Sequence, residues 1–247
     1  MWLDLLKGLL LGLTQGLTEF LPVSSSGHLL LLERLGVSPP NVFVNLLLHL
    51  STLIAVCIVM RREVWACVRH PMSKRTLWLV LMCVPTAAVA WAISHYFPSL
   101  VEGALLPLGF LATSALLFAA RTLPKGTRPL TPQNALSVGV IHGIAVLPGL
   151  SRSGATVTAM RLAGIPQDEA ISLSFLASIP VIIGGIVLQL IEGVTLTGVS
   201  PVALVSAVGA AFVSGLFSLK WMLKAFGQSY LVFGVYTFAL AILSALI

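Results

Sequence analysis

Charge is what this sequence has least of. Asp, Glu, Lys and Arg make up 9% of its 247 residues, where a soluble domain carries about 25%. That deficit excludes a soluble globular protein of this size. With 57% hydrophobic residues and a mean hydropathy of +1.03, the chain reads as a polytopic membrane protein. Strict apolar/polar alternation is also missing. The apolar runs are continuous, which excludes a β-barrel and leaves helices. There are three cysteines, Cys57, Cys67 and Cys83, without metal or redox spacing, and they read as small apolar residues. The N-terminus, MWLDLLKGLL, lacks a basic leader region and a small-residue cleavage site, so it is expected to be retained.

The surplus of Lys and Arg, a formal net charge of +6, is not a nucleic-acid signal. The basic residues gather in short loops between apolar runs. Six runs are long enough to span a bilayer: roughly 41–60, 77–97, 103–120, 170–191, 200–220 and 228–247, each near the ~20 residues required. Two further apolar regions, roughly 8–35 and 133–165, are broken in the middle by LPVSSSGH (21–28) and LPGLSRSGAT (147–156). Interrupted segments of this kind form binding sites from unwound backbone. Both are predicted to be re-entrant hairpins.

Orientation follows from the loops. Residues 61–76 hold Arg61, Arg62, Arg69, Lys74 and Arg75; residues 121–128 hold Arg121, Lys125 and Arg128; Lys220 and Lys224 close a later span. The intervening loops near 97–103 and 192–200 hold Glu102 and Glu192 and no Lys or Arg. Lys and Arg mark the cytoplasmic side. All three basic groups share one side only if the six runs span and both hairpins re-enter. Both termini then lie outside.

An internal repeat supports this plan. On a shift of 127 residues, the separation of Gly16 and Gly143, Ser24 falls on Ser151, Ser26 on Ser153, Gly27 on Gly154, Arg34 on Arg161, Leu35 on Leu162 and Ser51 on Ser178, without a gap. Each half has one hairpin and three spans, and an odd number of crossings inverts the second copy. The expected fold is therefore an all-α polytopic membrane protein. It has six transmembrane helices and two re-entrant helical hairpins in one domain, 1–247, made of inverted repeats of about 1–124 and 125–247.

Chemistry concentrates at the two breaks. Gln15 and Glu19 lie four apart and share a helix face, while Gly8, Gly12 and Gly16 form a small-residue stripe for close helix packing. Pro22 ends the first helix near Leu21. Ser24, Ser25 and Ser26 supply turn and cap hydroxyls, and a second helix starts near Gly27 or His28. In the second hairpin Pro148 and Gly149 break the helix, and a new one starts near Ala155 with Thr156 in its first turn. Inverting the repeat brings both breaks together, so that two helix N-termini face one cavity and favour an anion. Arg152 adds a planar fork suited to phosphate. A lipid-borne phosphate fits such a pocket. His49, with no neighbouring motif, is read as structural. Asp168 and Glu169 are read as helix-start residues, and Arg34 and Arg161 as snorkelling at the membrane interface.

QGLTEFLPVSSSGH (15–28) and PGLSRSGAT (148–156) resemble the two signature motifs of the bacterial undecaprenyl-diphosphate phosphatase family, the bacitracin-resistance proteins, over essentially the whole chain. The resemblance implies an inner-membrane enzyme that opens to the outer, periplasmic face. Such an enzyme converts undecaprenyl diphosphate to undecaprenyl phosphate and inorganic phosphate, recycling the lipid carrier of peptidoglycan synthesis. It also implies a divalent cation, Mg²⁺ or Ca²⁺. The family's first acidic position is Gln15 here, so Glu19, with Gln15, is the implied cation site. Glu19, Ser25, His28 and Arg152 match its catalytic residues. Ser24, Ser26, Ser151, Arg152, Ser153 and Thr156 take the phosphate-binding role. The nucleophile is left among Ser25, His28 and water, with Ser25 preferred. The implied partners are the lipid substrate and the bilayer, with a homodimer allowed and no nucleic acid.

Two other readings compete. A non-catalytic polyprenyl-phosphate transporter or flippase uses the same inverted-repeat pocket. The acid-phosphatase-like lipid phosphatases share a Ser-Gly-His motif, matched by Ser26-Gly27-His28, but need a histidine soon after Ser-Arg. Ser151-Arg152 is followed by SGATVTAM, which rejects them.

Overall fold

The computed structural model describes residues 1–38, 41–193, 200–225 and 230–247. Within these residues the chain forms twelve helices and no strand. The first half comprises α1 (Trp2–Phe20), α2 (Ser25–Arg34), α3 (Val42–Val59), α4 (Arg61–Arg69), α5 (Lys74–Tyr96), α6 (Pro98–Val101) and α7 (Leu106–Thr122). The second comprises α8 (Pro132–Ile144), α9 (Arg152–Leu162), α10 (Gln167–Glu192), α11 (Pro201–Ala225) and α12 (Tyr230–Leu246). Four of them, α3, α5, α10 and α11, are long and apolar enough to cross a membrane, and α7 and α12 are apolar helices of 17 residues. The protein is an all-helical, polytopic membrane protein.

Both predicted breaks are present, with helix starts displaced by the caps. α1 ends at Phe20, and Leu21 turns extended. α2 then begins at Ser25, earlier than Gly27 or His28, because the Ser24 hydroxyl accepts the Gly27 N–H. α9 likewise begins at Arg152 instead of near Ala155, because Ser151 accepts the Gly154 N–H. An N-cap oxygen bonds the N–H two or three residues on, so a serine placed early starts the helix early. α1 starts at Trp2, upstream of the expected 8. Asp168 and Glu169 do occupy the first turn of α10.

Two expectations are corrected. Residues 61–76 are not simply a loop: α4 runs through the basic cluster with no buried residue, and Arg69 lies over Trp65 at 5.1 Å. A short amphipathic sequence can fold as a helix where one face meets an interface. Arg161 does not snorkel. It is 8% exposed and donates to the carbonyls of Ala120 and Leu123, the latter at 2.8 Å. The last carbonyls of a helix have no partner of their own, and those ending α7 draw this guanidinium inward. Arg34 is exposed and donates to Gly103 O at 2.8 Å. The 192–200 loop lies largely outside the described residues, as do 226–229.

Packing sets the breaks opposite each other. α1 packs chiefly on α11 along the Gly8, Gly12 and Gly16 stripe. A β-carbon there would strike the Ala203 carbonyl at Gly8, the Ala207 carbonyl at Gly12 and Ser214 at Gly16. α8 packs in the same way on α5, with Gly139 against Met82 and Gly143 against Thr86 and Val89. Without a hydrophobic drive between helices in lipid, such close backbone approach is the main source of association. α7 lies along α12, and α9 contacts both α7 and α10.

Candidate active site

Where the two breaks meet, backbone touches backbone. A β-carbon added at Gly27 would lie 2.8 Å from the Gly149 nitrogen. Gly149 has φ +87°, a left-handed conformation that costs glycine nothing. Its N–H donates to the Ser24 hydroxyl oxygen at 3.1 Å, and its carbonyl accepts from Thr113 at 2.7 Å. Thr113 in turn accepts the Ser151 N–H at 2.9 Å. Ser24 itself has φ +70°, the one non-glycine residue with positive φ among those described. Its side chain and carbonyl hold Gly27, Gly149 and His28 at once, and an unfavourable φ persists only where its surroundings fix it in this way.

Glu19 is the centre of the cleft. Its side chain is 4% exposed, and its two oxygens collect donors from both halves. Arg152 Nη2 donates to Oε1 at 2.5 Å. Ser25 Oγ donates to Oε2 at 2.5 Å, and Gln15 Nε2 donates to Oε2 at 3.0 Å. A buried carboxylate is costly unless a cation and hydrogen bonds compensate it, and here both do. The predicted meeting of the serine-rich breaks therefore takes the form of a direct Glu19–Arg152 ion pair. Thr18, Glu19, Ser24, Ser25, Ser26, Leu150, Ser151 and Arg152 line the cleft.

The other predicted residues stand around this centre. Ser151 Oγ caps α9 and lies 3.3 Å from Ser153 Oγ, and Ser153 donates to the Leu21 carbonyl at 3.4 Å. Ser26 lies 3.4 Å from Ser24. Thr156 turns away, to Ser174 on α10 at 2.6 Å and to the Arg152 carbonyl. His28 is not on Ser25. Its Nδ1 lies 2.7 Å from the Ser24 carbonyl, which can only accept, so that nitrogen carries the hydrogen. Nε2 of the neutral ring then accepts the Tyr236 hydroxyl at 2.8 Å. The ring stacks on Tyr236 with centroids 5.6 Å apart and meets Phe110 edge-on at 5.7 Å.

Three participants escaped the sequence reading. His49 Nε2 sits 3.9 Å from Glu19 Oε2, while its Nδ1 lies 2.8 Å from the Asn45 carbonyl, so it is not remote from the site as a purely structural residue would be. Tyr236 comes from the last helix, and Thr113 from α7. None carries a local motif; only their helix faces bring them in.

One buried oxygen bears on the divalent cation that the resemblance implies. Gln15 Oε1 is buried without a hydrogen-bond partner in the described structure, on the side chain whose amide N–H donates to Glu19. Hard cations take oxygen ligands of this kind. Among the described residues no three His, Cys, Asp or Glu side chains cluster. The remaining ligands would have to come from amide, hydroxyl, water and phosphate oxygens.

The family model for bacitracin resistance protein BacA matches residues 8–243. An undecaprenyl-diphosphatase from Carboxydothermus hydrogenoformans is 37% identical over 227 residues, covering 88% of this chain and 87% of that protein. One from Korarchaeum cryptofilum is 35% identical over 239 residues, 90% of each. Undecaprenyl-diphosphatase 3 of Bacillus cereus is 32% identical over 247 residues, 96% of this chain and 95% of that one.

Proposed function

We infer the activity from one premise: the chain belongs to the bacitracin resistance protein BacA family. It is an undecaprenyl-diphosphate phosphatase of the membrane, releasing inorganic phosphate and undecaprenyl phosphate. The observation that carries this reading onto the residues is the junction of Glu19, Ser25 and Arg152 across the two breaks. A hydroxyl directed at a carboxylate, beside a guanidinium, is the equipment of phosphoryl transfer.

In the proposed reaction Arg152 turns from Glu19 to the terminal phosphate. Ser25 Oγ attacks the terminal phosphorus as its proton passes to Glu19. The bond from phosphorus to the bridging oxygen breaks, and undecaprenyl phosphate leaves. Water then attacks the phosphoserine, the bond from phosphorus to Ser25 Oγ breaks, Oγ takes back the proton held by Glu19, and inorganic phosphate leaves with the hydrogens of the water, losing one to solvent as it ionises. Arg152 and the N–H groups opening α2 and α9 stabilise the charge on the transferred group. Ser24, Ser26, Ser151 and Ser153 shape the phosphate pocket, Thr156 ties the first turn of α9 to α10 behind it, and His28 with Tyr236 braces the start of α2. A divalent cation, held by Glu19 and Gln15 Oε1, would neutralise phosphate charge.

The finer architecture is part of the same proposal. α1–α2 and α8–α9 form re-entrant hairpins, and α3, α5, α7, α10, α11 and α12 span. The halves, about 1–124 and 125–247, are inverted repeats, supported by the matched pairing of α1 on α11 and of α8 on α5. The basic loops face the cytoplasm, the termini lie outside, and the site opens to the outer face. A homodimer is compatible with this arrangement.

Purified protein incubated with undecaprenyl diphosphate and Mg²⁺ or Ca²⁺ tests the reading. Phosphate release that chelation abolishes is expected. Lipid movement across liposomes without phosphate release would replace the enzyme by a carrier. Acid quench during turnover should trap label on Ser25; label on histidine, or none, removes Ser25 as nucleophile.

A further inference from the structure

His142 plays no part in the mechanism above, yet it sits where a polar side chain needs a reason. It lies on the face of α8 that packs inward and is 3% exposed. Its Nδ1 is buried without a hydrogen-bond partner in the described structure. A buried polar atom left unpaired costs about 1–3 kcal/mol and calls for an explanation. α8 packs against α9, the helix that opens with Arg152. On the repeat shift of 127 residues, the separation of Gly16 and Gly143, His142 is the counterpart of Gln15.

Gln15 holds the charged group of its own hairpin: its amide N–H donates to Glu19. The charged group of the other hairpin is a cation. A guanidinium must be held by an acceptor, and a neutral imidazole offers one. Supply and demand also match, since the Arg152 guanidinium has five N–H donors and makes one hydrogen bond among the described residues, to Glu19. We propose that His142 is a positioning residue for Arg152. When the guanidinium leaves Glu19 for a diphosphate, His142 Nδ1 accepts one of its remaining N–H groups and fixes the plane of the fork against the phosphate oxygens. This rests on the phosphatase reading for the identity of the headgroup.

The test compares H142L, H142M and H142Q with the wild type, using affinity for inorganic diphosphate by calorimetry and turnover of undecaprenyl diphosphate. Gln keeps an acceptor; Leu and Met do not. H142L and H142M should weaken diphosphate binding about tenfold and lower kcat roughly 10–100-fold, the scale of a misplaced catalytic group. H142Q should stay within about threefold. In an R152K background, where there is no planar fork to orient, H142M should cost little more, because coupled residues are not additive. Wild-type-like H142L or H142M overturns the proposal. So does a loss in H142Q equal to that in H142M, or a full multiplicative loss in the R152K background, either of which marks a packing role. If H142L does not fold, H142M and H142Q decide. Wild-type protein that binds diphosphate and responds to these variants but releases no phosphate keeps the positioning role and rejects the enzyme.

Discussion

Replacing Arg152 by Ala separates two jobs of one side chain. In the folded protein it compensates Glu19, whose side chain is 4% exposed, while its own is 25% exposed. Breaking a fully buried pair costs about 3–5 kcal/mol. Water reaches Arg152, and Ser25 and Gln15 still bond the carboxylate, so about 2–3 kcal/mol is expected here. At roughly 2–4 °C per kcal/mol for a chain of this length, R152A should melt about 5–10 °C lower. Its second job is in the transition state, where losing one oxyanion donor costs about 3 kcal/mol, or roughly 100-fold in kcat. The two can be pulled apart. Adding E19Q to R152A removes the buried charge and should restore most of the melting temperature without restoring turnover. R152K should recover stability but only part of the activity, because an ammonium lacks the planar fork. Thermal melts in detergent and phosphate release from undecaprenyl diphosphate read both quantities on the same samples. R152A melting like wild type would refute the account of the pair. R152A turning over within threefold of wild type would remove Arg152 from the chemistry.

Other expectations concern the frame of the site. G149A should lose about 2–4 kcal/mol of stability, through a left-handed φ and a β-carbon 2.6 Å from the Leu106 carbonyl oxygen and 2.8 Å from the Phe110 nitrogen; a melt unchanged from wild type would contradict the close approach of the second break to α7. Y236F removes the hydroxyl that His28 Nε2 accepts and should cost about 1 kcal/mol in the same melts, with turnover reduced less than in R152A. In a variant whose three cysteines are replaced, single cysteines at Glu102 and Lys125 should react with an impermeant maleimide from opposite sides of the membrane; reaction from the same side would rule out α7 as a span.

The breaks were legible because each is written in local chemistry. Pro22 and Pro148–Gly149 stop helices, Ser24 and Ser151 restart them, and the Gly8–Gly12–Gly16 stripe announces close packing. The meeting of Glu19 and Arg152 was legible through the repeat, which states that two interruptions occupy equivalent places. What could not be read depends on helix rotation or on a distant partner. His49 and Tyr236 look like isolated polar residues in apolar runs until α3 sets His49 beside Glu19 and α12 sets Tyr236 against His28. Arg161 looks like an interfacial anchor because the carbonyls that bind it belong to α7, some forty positions away. α4 was obscured because five basic residues within 61–76 outweigh, to the eye, the apolar side formed by Trp65 and Val68.

The stitching between the breaks bears on how the headgroup travels. Three hydrogen bonds, Gly149 to Ser24, Arg152 to Glu19 and Ser153 to the Leu21 carbonyl, fasten one half of the chain to the other at its middle. A pump that rocks its halves apart on every cycle would tear all three, at about 1 kcal/mol or more apiece. Such an open form would be a rare visitor, fewer than about one molecule in a hundred. Until a headgroup draws Arg152 away from Glu19, the two halves therefore rest closed on each other.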